Sequence, residues 1–192
     1  MTAPLLVTEG LVAGWERPVT PPLSLSLAAG EIVGLVGPNG VGKSTYLSAL
    51  TGVALVFAGR LDKRPGLRLA LQTQATPPFG GLPLCGSDLL KLTGATSEGL
   101  PPWLADKLGW RLDSLSGGQR HFLALWAVLR APADVILLDE PTNNLDTAGV
   151  AHLGDALRRR AGEGAGLLVV SHDHEFVDTV CHRIVEVGEG RP

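Results

Sequence analysis

The chain has 192 residues, 45% of them apolar and 18% charged, a balance that excludes global disorder and leaves room for a large core. With 16 Lys plus Arg against 19 Asp plus Glu and a formal net charge of -3, the basic footprint of a nucleic-acid binder is missing, so no nucleic-acid partner is expected. The two cysteines, Cys85 and Cys181, stand far apart, which argues against a disulfide framework or a cysteine-built zinc site. The sequence also shows neither an apolar run of ~18 residues nor a signal-like start, so a cytoplasmic chain of one domain is expected.

Taken in chain order, residues 5–7 and 23–27 predict early strands. The second alternates apolar and polar residues, as a half-exposed antiparallel strand does. Residues 32–36 predict a buried strand running into a glycine-rich turn over 37–42 and a helix over about 43–51. From 76 to 113 the composition shifts to Pro, Gly and short amphipathic pieces such as 87–92, which predicts an inserted, mostly helical lobe. Phe122, Leu125, Trp126 and Leu129 fall on one face of a helix ending before Pro132. Beyond it come a strand over 135–138, a helix over about 147–160, a strand over 167–170, a helix near 175–180 and a strand over 184–187. This alternation predicts an α/β protein with a largely parallel sheet.

Gly37, Pro38, Asn39, Gly40, Val41, Gly42, Lys43 and Ser44 make a complete GxxxxGKS between a predicted strand and a predicted helix. Glycines let successive amides point inward, and the helix start adds its positive end, so a triphosphate can be wrapped by N–H groups. Lys43 reaches the β and γ phosphates in such a loop and the Ser44 hydroxyl ligates Mg²⁺. The strand over 135–138 ends in Asp139 and Glu140. The first carboxylate suits Mg²⁺, and the second suits a water attacking the γ phosphate. Ser116, Gly117, Gly118 and Gln119 open the helix that carries Trp126, with Ser116 as its cap. Exposed amides there form a second phosphate-facing terminus, which a single nucleotide does not explain unless two copies of the chain share it.

GPNGVGKST, LSGGQ and VILLDEP in this order resemble the ATP-binding subunits of the ABC superfamily, over nearly the whole chain. The resemblance implies a P-loop NTPase fold with a mostly parallel sheet, an N-terminal antiparallel β subdomain and a short helical lobe over about 76–130, all within one ABC-type domain spanning 1–192. It implies an ATPase with ATP and Mg²⁺ as cofactors, acting as a head-to-tail dimer with a second copy or a homologous ATPase subunit. In that dimer the loop from Gly37 to Thr45 of one copy and Ser116 to Gln119 of the other enclose each ATP. It further implies an integral membrane permease as partner and a peripheral place at the inner face of the cell membrane.

Trp15, 22 positions before Gly37, resembles the family's adenine-stacking ring, the bland reading being a core or surface tryptophan. Gln74 resembles the glutamine that senses Mg²⁺, with Gln72 as a rival two residues earlier. Asp146, in NNLD, resembles the end of the loop that communicates across the dimer, although asparagines stand where the family often has serine or alanine. His172 resembles the switch histidine on the γ phosphate. The motor of a membrane transporter is the preferred role; the alternative is a soluble ATPase switch acting on a ribosome or other macromolecule, since EPTNNLD and SHDHEFVDTVCHRI also resemble the translation-factor branch of the superfamily. The apolar, proline-rich run from Pro77 to Leu84, with Phe79 at its centre, is either a docking segment for the partner or internal packing.

Overall fold

A computed structural model describes residues 3–74 and 83–188. Strand β2 (Leu23–Leu27) buries its three leucines and exposes the two serines between them, the period of a strand with one dry face. It pairs antiparallel with β1 (Leu6–Gly14), whose other side pairs antiparallel with β4 (Leu55–Lys63), giving the order β2-β1-β4. Two differences from the sequence-based expectation appear here. β1 runs nine residues where only 5–7 were legible, because Gly10, in the left-handed region, interrupts its alternation at a bulge. β4 was not expected at all: as an edge strand exposed along most of its length, it lacks the burial pattern by which strands are read.

The second sheet is parallel, in the order β5-β6-β7-β3-β8, with β3 at Ile32–Val36, β5 at Leu69–Gln72, β6 at Val135–Asp139, β7 at Gly166–Val170 and β8 at Arg183–Glu186. The three central strands are buried on both faces, so they read as continuous apolar runs. Alternate residues feed two cores. Ile136, Leu138, Leu167 and Val169 face one cluster; Val135, Leu137, Leu168 and Val170 face the other, with the antiparallel sheet and helix α1 (Lys43–Leu50). Each fully buried aliphatic side chain contributes about 1.5–3 kcal/mol of transfer free energy.

Among the described residues, five helices fill the first of these faces: α2 (Gly86–Thr93), α3 (Pro102–Ala105), α4 (Gly117–Leu129), α5 (Thr147–Gly162) and α6 (His174–Val180). α4 is buried well beyond the single face its periodicity predicts, since His121, Leu123 and Ala127 are buried along with Phe122, Leu125, Trp126 and Leu129. The reason is that α4 packs on the sheet, on α5 and under the lobe, where Trp103 meets Phe122 edge-on at 5.2 Å and Trp126 donates its indole N–H to the Thr96 carbonyl at 2.9 Å. The lobe helices therefore share one continuous core with the sheet. No helix among the described residues is long and apolar enough to cross a membrane.

Candidate nucleotide-binding site

Parallel strands deliver their carboxyl ends to one edge of the sheet, where open α/β folds gather ligand-binding groups. β3 leads into the glycine loop, β5 into Gln74, β6 into Asp139 and Glu140, and β7 into Ser171 and His172. They line one cleft of about 390 Å³ with Asn39, Gly40, Gly42, Lys43, Ser44, Thr45, Gln74, Asp139, Glu140 and His172 on its walls. Gln74, not Gln72, reaches this cleft. β5 ends at Gln72, whose side chain is buried and donates to the Thr73 carbonyl at 2.5 Å, so the two glutamines do not share a strand face.

The loop's glycines are fixed by the backbone. Gly42, at φ 98, precedes α1 and a Cβ there would lie 2.6 Å from Thr20 Cγ2; a Cβ on Gly37 would meet the Val187 carbonyl oxygen at 2.6 Å. Lys43 is 6% exposed, and its Nζ donates to the carbonyls of Gly37 at 2.8 Å and Pro38 at 3.0 Å. The ammonium is thereby held inside the loop, on the wall of the cleft.

Asp139 is buried beside the Ser44 hydroxyl. Burial pushes its carboxyl above the ordinary range, as does the charge of Glu140, against hydrogen bonds from Ser44 and the Gln74 backbone and the nearby charge of Lys43. Its Oδ1 has no hydrogen-bond partner among the described residues, and a buried acceptor left so is costly. An orphaned carboxylate oxygen next to a hydroxyl is a hard oxygen donor set, which fits a divalent cation such as Mg²⁺.

Glu140 sits in the left-handed region at φ 50, unusual for this residue type and a mark of functional strain. The turn aims its side chain at His172: Glu140 Oε2 lies 2.7 Å from Nδ1 and accepts the His172 backbone N–H at 3.3 Å. With Glu140 ionised, Nδ1 carries the proton.

Other residues singled out in the sequence lie elsewhere. Trp15 is 49% exposed in the tight turn after β1, and Val19, which the sequence reading missed, takes a place in the cleft wall instead. That turn is anchored by Thr20, whose hydroxyl accepts the Ala13 N–H at 2.8 Å, and by Tyr46, whose hydroxyl donates to the Pro21 carbonyl. No sequence motif marks Val19; its place depends on this anchoring. Ser116 and Gln119 form a reciprocal cap at the start of α4, the Ser116 hydroxyl accepting the Gln119 N–H at 3.2 Å and Gln119 Oε1 accepting the Ser116 N–H at 3.1 Å. Asp146 caps α5 through the Gly149 N–H at 2.7 Å. Ser116, Gly118, Gln119 and Asp146 line a separate cavity with Trp103 and Asn144. Within one chain, then, the LSGGQ turn is not brought to the glycine-loop cleft. Phe79 and most of the run from Pro77 lie outside the described residues; Leu84 packs against the core.

A parallel sheet, a glycine loop opening α1 and paired acids at the end of β6 define a P-loop nucleotide-binding protein. Residues 21–75 match the family described as ABC transporter, and residues 105–178 match a second family described as an AAA domain. The chain is 38% identical over 173 residues to the zinc import ATP-binding protein ZnuC of Cereibacter sphaeroides, covering 85% of this chain and 70% of that one. It is 32% identical over 197 residues to the Nod factor export ATP-binding protein I of Paraburkholderia xenovorans, covering 92% and 65%. A solved ATP-binding subunit of an ABC transporter superposes with a TM-score of 0.83 at 22% identity, covering 97% of this chain and 87% of the other.

The chain belongs to the ABC transporter ATP-binding family. Its activity is ATP hydrolysis coupled to transport, and of the two roles read from the sequence it is the transport motor.

Proposed function

We propose that the chain, as one ABC-type domain, hydrolyses MgATP in a head-to-tail dimer whose two sites are each shared between copies. The observation that carries this reading is Gly117. It opens α4 without appearing among the positive-φ glycines, and a Cβ on it would meet nothing within 4 Å. Nothing among the described residues requires a glycine there, and alanine is the better helix former. A bare backbone amide at a helix start has a use if a phosphate from outside the chain comes close to it.

In this reading Lys43 exchanges its two loop carbonyls for the β and γ phosphate oxygens, and the amides of the loop from Gly37 to Thr45 wrap the chain of phosphates. Ser44 and Asp139 would hold Mg²⁺, with Gln74 alongside, and the bound ion would supply neutralisation of phosphate charge. Glu140 takes the proton of the attacking water as general base. His172, already in contact with Glu140, turns its ring toward the γ phosphate, and Ser116, Gly117 and Gly118 of the second copy donate to the same group. Trp15 stacks on the adenine, with Val19 beneath it. Asp146 keeps the start of α5 in register at the dimer seam.

The force is delivered to an integral membrane permease, which places the chain at the inner face of the cell membrane. Relatives named for zinc import and for Nod factor export support a transport partner and leave the cargo and its direction open. The shared site is tested by mixing a Lys43→Ala protein with a Ser116→Arg protein. One of the two sites in the mixed dimer then combines an intact loop with an intact signature, and hydrolysis returns. Mixed dimers that form and show no activity above the separate mutants would overturn the shared site.

A further inference from the structure

Beyond Glu140 the chain makes two tight turns, closed by Asn143 N–H to the Glu140 carbonyl and Leu145 N–H to the Thr142 carbonyl, each at 3.2 Å. Glu140 and Asn144 are the non-glycine residues with positive φ among those described. Such conformations persist only where the surroundings over-determine them.

Two contacts among the described residues join the segment to the first turns of α4. His121 Nε2 lies 3.4 Å from the Pro141 carbonyl oxygen. A Cβ on Gly118 would come within 2.9 Å of the Asn144 carbonyl oxygen, so the glycine allows the backbones to touch. His121 is 3% exposed among apolar neighbours on α4. Burial holds its pKa below the ordinary histidine value, opposed by the Pro141 contact, which keeps the ring a neutral donor. No role in the nucleotide cleft uses it.

We propose that His121 is a positioning residue: through its contact with Pro141, and with Gly118 packed on Asn144, the loop bearing Glu140 sets the orientation of the turn from Ser116 to Gln119. The state of a protomer's own cleft is thereby passed to the cleft it completes on a second copy. This rests on the shared-site reading above. Its consequence is that hydrolysis is cooperative in ATP and that the His121 contact carries part of the coupling.

The test compares His121→Leu, which keeps volume without a donor, with His121→Gln, whose amide can donate to the same carbonyl. Steady-state ATPase activity is measured against MgATP concentration. The wild type should show a Hill coefficient above one; His121→Leu should lower it toward one and reduce kcat at least about fivefold, the lower end of typical site-to-site coupling. MgATP affinity by calorimetry should be unchanged, and His121→Gln should recover both kinetic properties. Equal behaviour of all three proteins overturns the proposal. So does a wild-type Hill coefficient of one, a lowered kcat with the Hill coefficient unchanged, or a joint loss in both variants with a lowered Tm. If His121→Leu does not fold, His121→Asn, too short to reach Pro141, takes its place in the same comparison. The underlying reading is checked separately by size-exclusion chromatography of Glu140→Gln with MgATP. No dimer there removes the shared site, whereas a dimer together with a wild-type-like His121→Leu removes His121 alone.

Discussion

The glycine loop and the LSGGQ turn are both helix starts rich in glycine, yet the fold treats them oppositely. In the loop, Gly37 and Gly42 have positive φ and neighbours at clash distance from any Cβ, and the turn ends in a cleft closed by Glu140 and His172. At the signature, Gly117 has open space around it and the turn stands apart from that cleft. In the proposed shared site the first half is built by its own chain, with glycines that the fold itself requires. The second half is displayed at the surface, where a Cβ on Gly117 would meet nothing among the described residues.

The sharpest way to break this contrast is Lys43→Ala. Two charge-assisted contacts to phosphate are lost, with no other Lys or Arg among the described residues of the cleft wall, a cost of about 3 kcal/mol or more, so MgATP affinity in calorimetry should fall at least about a hundredfold. Unchanged affinity would remove the cleft as the primary phosphate site.

Next come the two glycines compared directly. Gly42→Ala forces a left-handed alanine against Thr20 and should cost about 1–3 kcal/mol of stability, seen as a Tm several degrees lower in a melt without nucleotide. Gly117→Ala should leave that Tm unchanged while turnover falls about tenfold or more. If Gly117→Ala hydrolyses ATP normally, no phosphate approaches its amide closely.

Asp139 sharpens the comparison from the side of charge. Burial raises its carboxyl pKa in the folded state above the unfolded value, so its contribution favours folding at acid pH and is lost as pH rises through the folded value. Once ionised, the partly unpaired carboxylate destabilises the nucleotide-free protein. Asp139→Asn should therefore raise Tm at pH 7.5 by about 2–4 °C, as about 1 kcal/mol would in a chain of this size, with the gain shrinking toward about pH 4. The same variant should lose the Mg²⁺ dependence of nucleotide binding. A Tm gain independent of pH would mean that desolvation of Asp139 is not its source.

The smallest effect is expected at the rim. Trp15→Ala should weaken ATP binding about fivefold and Trp15→Phe should largely spare it, since aromatic stacking is worth about 0.5–1.5 kcal/mol. Equal affinities in all three proteins would leave Val19 as the contact on that side of the cleft.

The sequence alone determined those parts whose cause is local. GxxxxGKS between an apolar strand and a helix, the apolar run into Asp139 and Glu140, and the run into His172 each combine an element and its chemistry in consecutive residues. Such segments are legible because the parallel strands are buried on both faces and their functional groups sit where the strands end. The order β5-β6-β7-β3-β8, which brings Gln74, Glu140 and His172 from distant parts of the chain onto one loop, belongs to the tertiary structure. So does the choice of Gln74 over Gln72, which turns on where β5 stops, and so does β4, whose exposed edge carries no periodic signal. Val19 and His121 were invisible for the same physical reason: a lone valine in a turn and a lone histidine on an apolar helix acquire meaning only from what packs against them. Tertiary packing also separated two glycine-rich turns that look alike in sequence, because steric demand on a missing Cβ depends on neighbours that the chain brings in from elsewhere.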